Sequence, residues 1–214
     1  VAALALLKKM GYRAQPTYEK PTDRITLLCM EKDASSMVTL SLEPLRREEL
    51  STVIEWCNQD STAGQYCPLW VHGRDKTLTM AEFSKEFAFG KHYIGAPQMD
   101  FAVKAVEFGR MIGVVSLTKL DWEMRRGAVD FLVLDPKWRG GRLGQRVVEQ
   151  LCLLAEGQYG FHSLSLTVME SNARAIGCLI KCGFTETLRR QNVMRGGDDQ
   201  PYTRILMMRT AKEK

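Results

Sequence analysis

The spacing of hydrophobic and polar residues changes several times along the chain, and each change marks a predicted element. Met37 to Leu45 alternates enough for a first strand, with Leu40, Leu42 and Leu45 available to a core. From Arg46 to Asn58 the period becomes helical, and Leu50, Val53, Ile54 and Cys57 fall on one face. Ser61 to Lys76 loses periodicity around Gly64, Pro68 and Gly73, which predicts a loop, with Tyr66 and Trp70 either anchoring it or facing a substrate. Thr79-Met80-Ala81-Glu82 has the form of a capping box and predicts a second helix to about Gly90. Two strands, Phe101 to Val106 and Arg110 to Leu120, flank Glu107-Phe108-Gly109, and a second turn through Asp121 to Arg126 leads into a strand at 128–134.

The centre of the pattern lies just beyond that strand. Asp135-Pro136 stops it, since proline cannot donate to a ladder. Lys137-Trp138-Arg139-Gly140-Gly141-Arg142-Leu143-Gly144 is then a turn of three glycines and three cations, and a helix over 145–156 buries Val147, Val148, Leu151 and Leu154. Glycines at a helix start let backbone N–H groups converge on an anion, helped by the helix dipole. With Arg146 added, four cations at this turn point to a polyphosphate. The bland alternative is a tight strand-to-helix turn with a solvated basic face. A Gly-x-Gly-x-x-Gly fingerprint is excluded by Arg139, and no Gly-x-x-x-x-Gly-Lys-Ser/Thr run occurs.

Ser163 to Val168 alternates as the next strand, parallel to 128–134 because the intervening helix is a crossover. Asn172 is placed to cap a helix over 173–182 that Gly183 ends. Phe184 to Arg190 and Thr203 to Thr210 then form an antiparallel pair. The whole predicts an α/β chain with a mixed sheet: strand, two helices, three antiparallel strands, helix, strand, helix, two strands.

Residues 1–33 repeat the far end of the chain. Val1 to Tyr12 reads as a helix closed by Gly11, and Asp23 to Met30 as a strand; similar units return at 173–184 and 203–208, about a domain length later. We expect 1–33 to be the helix-strand remnant of a preceding repeat, Glu31 to Ser36 to be a linker, and 34–214 to be one domain. The alternative is coincidence between two generic helix-glycine-strand units. A remnant of this size cannot bury its own apolar residues, so it is expected to pack on the following domain or to pair in a homodimer.

Composition narrows the chemistry. No apolar run is long enough to span a bilayer, so no membrane role is expected. Six cysteines without Cys-x-x-Cys pairs point to free thiols in a reducing compartment, hence the cytoplasm. Cys178 and Cys182 share a helix face but have no histidine partner, which favours core filling over a metal site. The net charge is a mild +5, with basic residues scattered except around 137–146 and at Arg189-Arg190, a pattern that a polyanionic cofactor explains as well as nucleic acid; aromatics do not interleave with the cations, so nucleic acid is not expected.

The turn from Arg139 to Gly144 resembles motif A of the GNAT superfamily of acetyl-CoA-dependent N-acetyltransferases, Gln/Arg-x-x-Gly-x-Gly/Ala, although Arg142 stands at the middle glycine. Either the backbone there keeps a φ that arginine tolerates, or the loop shifts and Gly141 supplies the flexibility. Asn172-x-x-Ala175-Ile176 ending in Lys181-Cys182-Gly183-Phe184 looks like motif B, and the element order over 37–210 is similar to the GNAT fold. Leu179 occupies the place where many members have a tyrosine general acid. That leucine, Glu55-Trp56-Cys57-Asn58 and Thr185 to Arg189 resemble the branch of ribosomal-protein alanine acetyltransferases.

The resemblance implies direct transfer of an acetyl group from acetyl-CoA to a primary amine of a peptide N-terminus, protein or small molecule. It assigns coenzyme A to Arg139, Gly140, Gly141, Arg142, Leu143, Gly144 and Gln145, polarisation of the thioester to the backbone of Leu132, Val133 and Leu134, and the pantetheine arm or the acceptor to Asn172, for which capping alone is an equal alternative. Attack needs a deprotonated amine. Asp130, expected to face a half-buried cleft, is the first candidate base, directly or through water, and Glu123 the second. His72, His92 and His162 are expected to be surface or packing residues. Arg142 and Leu179 also leave open a non-catalytic half that binds acetyl-CoA or only packs against a tandem partner.

Overall fold

The computed structural model describes residues 38–59, 79–195 and 198–211. The helix-strand reading of 1–33, the linker at 31–36, the loop at 61–76 and His72 lie outside the described residues. Strands β1 (Leu40–Pro44), β2 (Met99–Ala105), β3 (Arg110–Asp121), β4 (Arg126–Leu134), β5 (Ser163–Met169), β6 (Thr185–Arg195) and β7 (Asp198–Thr210) form one sheet in the order β1-β2-β3-β4-β5-β7-β6. Neighbours are antiparallel except β4 and β5, which are parallel as expected for a crossover through a helix.

Among the described residues four helices lie on the two faces: α1 (Leu50–Gln59), α2 (Met80–Phe83), α3 (Leu143–Gly157) and α4 (Ala173–Lys181). The first is preceded by a 3₁₀ turn at Arg47–Glu49, held by a reciprocal cap between Arg46 and Glu49. The second is far shorter than its sequence predicts. It gives way to a 3₁₀ turn at Ser84–Glu86, and Phe87 is already extended, because Phe83 and Phe87 both turn inward against Phe131.

Two cores result. Leu143, Val147, Val148 and Leu151 of α3 pack with Leu179 and Cys182 on one face of the sheet. Leu50, Val53 and Trp56 of α1 join Phe83, Phe87, Ala102, Val114, Phe131 and Val133 on the other. Val129 and Phe131 are two residues apart on β4, yet they enter opposite cores, which an unbroken strand of period two forbids. The break is a bulge. The register against β3 jumps between Val114 and Ser116, and Phe131 holds a left-handed φ of 57°. Such a backbone costs about 1 to 3 kcal/mol in a residue that is not glycine. Edge-to-face contacts of Phe131 with Phe83 and Phe87, at 5.3 and 4.7 Å between centroids, help to offset it.

Candidate active site

The bulge opens the sheet. Pairing of β4 with β5 covers only Arg126 to Ala128 against Ser163 to Ser165, after which no partner residues are shared. The amide of Asp135 donates to Ile112 of β3, so by the alternation of an antiparallel ladder Val133 also faces β3, while Leu132 and Leu134 turn their backbone groups toward the gap. The carbonyl of Leu134 is taken by Arg139 Nε at 3.1 Å, which pins the turn to the end of the strand.

A cleft of about 420 Å³ lies beside this gap. It is lined by Leu132 to Leu134, by Arg139 to Gln145, and by Asn172 to Ala175, Gly177, Cys178 and Lys181 of the α4 segment. Every residue assigned to coenzyme A from the sequence is therefore in one cavity. Sequence reading missed Arg174, Cys178 and Lys181, because which face of α4 meets the turn is set by long-range packing. Arg139, Arg142, Arg174 and Lys181 put four cations on the lining, and among the described residues no carboxylate lines it.

The turn itself is built for close approach. Gly140 and Gly141 have φ of 125° and 48°, and a side chain at Gly140 would meet nothing within 4 Å. Arg142 takes φ 61° and ψ 19° at the amino end of α3, so of the two alternatives the left-handed backbone is kept and arginine tolerates it. The amides of Gly144 and Gln145 belong to the first turn, where no acceptor precedes them inside the helix, and they project as donors from the positive end of the dipole. These features fit a diphosphate. Because L-residues other than glycine pay roughly 1 to 2 kcal/mol in this conformation, Arg142→Gly is expected to be more stable than Arg142→Ala by about 1 kcal/mol. Urea unfolding of the two variants checks this; equal stabilities would mean that the turn relaxes.

Asn172 accepts from the Ala175 amide at 3.1 Å and is 6% exposed, so it caps α4 while lining the cleft. Leu179 is buried in the α3 core, and no phenol stands in its place. Asp130 does not line the cleft. It is half-buried immediately before the bulge, and its Oδ1 accepts from the Phe131 amide at 2.9 Å. In register it stands across from Ser116, which stands across from Asp100. The row lies on the face of the sheet that carries α1 and α2.

Asp100 had no signal in the sequence beyond its place in a strand. It is 1% exposed and accepts from Ala88 N at 2.7 Å, Gln98 Nε2 at 2.9 Å and Ser116 Oγ at 2.5 Å. Its carboxylate thus ties the segment after α2 to the strands beside Asp130. Glu123 is corrected by the geometry: it is exposed in the β3–β4 turn, at the end of β4 opposite the cleft, because β4 runs away from that turn before it bulges. Of the two described histidines, His162 precedes β5, and His92 meets Phe101 edge to face with 4.8 Å between ring centroids; neither lines the cleft.

Burial lowers the pKa of His92, against a smaller opposing contribution from its hydrogen bond to the Asp100 backbone. Its folded value lies below the unfolded one of about 6.5. Between the two the unfolded chain binds more protons, so stability contributed by neutral His92 is complete above about pH 6.5 and falls as pH drops through the window. The stability difference between wild type and His92→Phe should change in that direction between pH 7 and 5. A difference independent of pH would show that the ring does not titrate on unfolding.

Residues 67–184 match the model of the acetyltransferase (GNAT) family. No curated protein matches the sequence. In fold the chain is similar to a spermidine N-acetyltransferase from Vibrio cholerae in complex with CoA and spermine, with a TM-score of 0.63 and 19% identity over 79% of this chain and 95% of that one. A chimera of the same enzyme matches at a TM-score of 0.63 and 17% identity, over 80% of this chain and 95% of that one. Its dodecameric form in an intermediate state matches at 0.58 and 18%, over 78% and 92%.

Proposed function

Since the chain belongs to the GNAT acetyltransferase family and is thereby an acetyl-CoA-dependent N-acetyltransferase, we propose that it acetylates a primary amine of a peptide, protein or small molecule by direct attack at the gap between β4 and β5. The observation that carries this reading is the cleft at that gap, which among the described residues is lined by four cations and no carboxylate over the amino end of α3. The pyrophosphate of coenzyme A fits the amides of Gly144 and Gln145 with Arg139 and Arg142 beside them. The Leu132 and Leu134 backbone faces the gap, where an N–H polarises the thioester carbonyl as its oxygen gains charge.

The amine enters from the opposite face of the sheet, where Asp130 stands. It must lose a proton before it attacks, and Asp130 accepts that proton directly or through water. Leu179 offers no acid, so the coenzyme A thiolate leaves without protonation by a side chain at that position. Two acceptor classes have support. Glu55 to Asn58 and Thr185 to Arg189 resemble enzymes acting on a protein N-terminus, whereas the structural neighbours by name acetylate spermidine. An appended earlier repeat in 1–33 and self-association belong to the same reading; one neighbour is a dodecamer.

The test is a panel of peptide N-termini, polyamines, amino sugars and aminoglycosides with acetyl-CoA, read by thiol release and by the mass of the acetylated product. Amine-dependent release with one class identifies the acceptor. Stabilisation by coenzyme A with no release from any amine would instead favour a binding module.

A further inference from the structure

The mechanism makes no use of a pair of thiols at the wall of the cleft. Cys178 and Cys182 are one turn apart on and just after α4, so their thiols are neighbours on one helix face. Cys182 is 2% exposed, and its Sγ lies 3.6 Å from the carbonyl of Gln145 as a donor. Cys178 is half-buried and lines the cavity itself. Arg174 and Lys181, which line the same cavity, stand one turn before and one turn after it. Among the described carboxylates, Glu149 is the one whose charge opposes a thiolate at Cys178, and its Oε1 accepts from Gln145 Nε2 at 2.8 Å.

We propose that Cys178 is a site of reversible thiol modification by small anionic disulfides, whose adduct fills the cleft. The reactive form of a thiol is its thiolate, and partly exposed electropositive surroundings select for it. The neighbouring Cys182 thiol, and after it the positive charges of Lys181 and Arg174, lower the pKa of Cys178 despite its partial burial, while Cys182, deeper and beside Cys178, is pushed up. In the reaction the Cys178 thiolate attacks one sulfur of the disulfide; that S–S bond breaks, a new bond forms to Cys178 Sγ, and the other half departs as a thiolate that takes a proton from water. Cys182 keeps its own proton throughout. The cations give the site its preference for disulfides that carry carboxylates or phosphates.

Adduct formation does not depend on what the cleft binds; only its consequence, loss of acetyl-CoA binding, rests on the proposed function. The full chain is incubated without reductant with oxidised glutathione, with coenzyme A disulfide and, as a cationic control, with cystamine. Each cysteine is then quantified by peptide mapping. Cys152, buried and with its thiol pushed up to about 12, is the internal reference. Cys178 should be modified well before Cys152, about tenfold faster by the anionic disulfides than by cystamine. Replacing Arg174 and Lys181 by glutamine should remove that preference while the adduct still forms, and the faster of the two anionic disulfides identifies the carboxylate or the phosphate source. Equal modification of Cys178 and Cys152, or equal rates with anionic and cationic disulfides, would overturn the proposal. An adduct that forms but leaves acetyl-CoA binding intact would retain the modification site and contradict the placement of acetyl-CoA in this cleft.

Discussion

Asp100→Ala is expected to lower the stability of the fold by about 3 kcal/mol, which for a domain of this size is a fall of about 6 to 12 °C in Tm. The loss comes from orphaned donors rather than lost volume. Asp100 is the acceptor for the Ala88 amide, Gln98 Nε2 and Ser116 Oγ at once. Removing it leaves a buried hydroxyl and a backbone N–H without a partner, each worth about 1 to 3 kcal/mol when desolvated. Gln98 suffers less, because its Nε2 also reaches the Glu86 carbonyl at 2.7 Å. Asp100→Asn keeps the shape but replaces one acceptor by a donor, so it should recover only part of the loss. Thermal unfolding of the three proteins measures the series. Wild-type stability in Asp100→Ala would mean that water replaces the carboxylate and that the segment after α2 is not held by it.

The second large effect is on the cofactor. Arg139→Ala should raise KM for acetyl-CoA by about 10- to 100-fold, since a charge-assisted contact contributes about 1.5 to 3 kcal/mol. A phosphate remote from the reacting carbonyl is held equally before and during transfer, so kcat should change far less. Arg139 has a further task, because its Nε holds the Leu134 carbonyl at the edge of the gap. Arg139→Lys keeps charge without the planar fork and is expected to fall between the two. Steady-state kinetics decides: an unchanged KM in a folded variant would put the anion elsewhere.

The parts of the fold governed by local periodicity were legible in the sequence. Alternation over 163–168, the glycine turn after Asp135-Pro136 and the Asn172 cap each depend on neighbours a few residues away, and each is where the pattern puts it. The bulge was not legible, since nothing in Ala-Val-Asp-Phe-Leu-Val-Leu asks for a left-handed phenylalanine. It comes from the aromatic cluster with Phe83 and Phe87, more than forty residues earlier in the chain. The same cluster cut the second helix short although Thr79 to Glu82 favour its start.

The candidate site divides in the same way. Residues 139–145 announce themselves by composition, whereas Arg174, Cys178 and Lys181 look like an ordinary amphipathic helix until α4 is seen across the cleft. Asp130 was recognised as a carboxylate on the central strand, but its face could not be read, because the bulge just after it changes the alternation. Glu123 was attractive only through nearness in sequence, and the direction of β4 carries it away.

Acetyl-CoA, as proposed, lies across the glycine turn and the open edge of β4. Amide hydrogen exchange with and without acetyl-CoA tests this placement residue by residue. Slower exchange is expected on adding the cosubstrate at the first-turn amides of Gly144 and Gln145 and at the gap-facing amides of Leu132 and Leu134, with the β3-facing amide of Val133 unaffected. Unchanged exchange across 132–145, with protection elsewhere or nowhere, would contradict it.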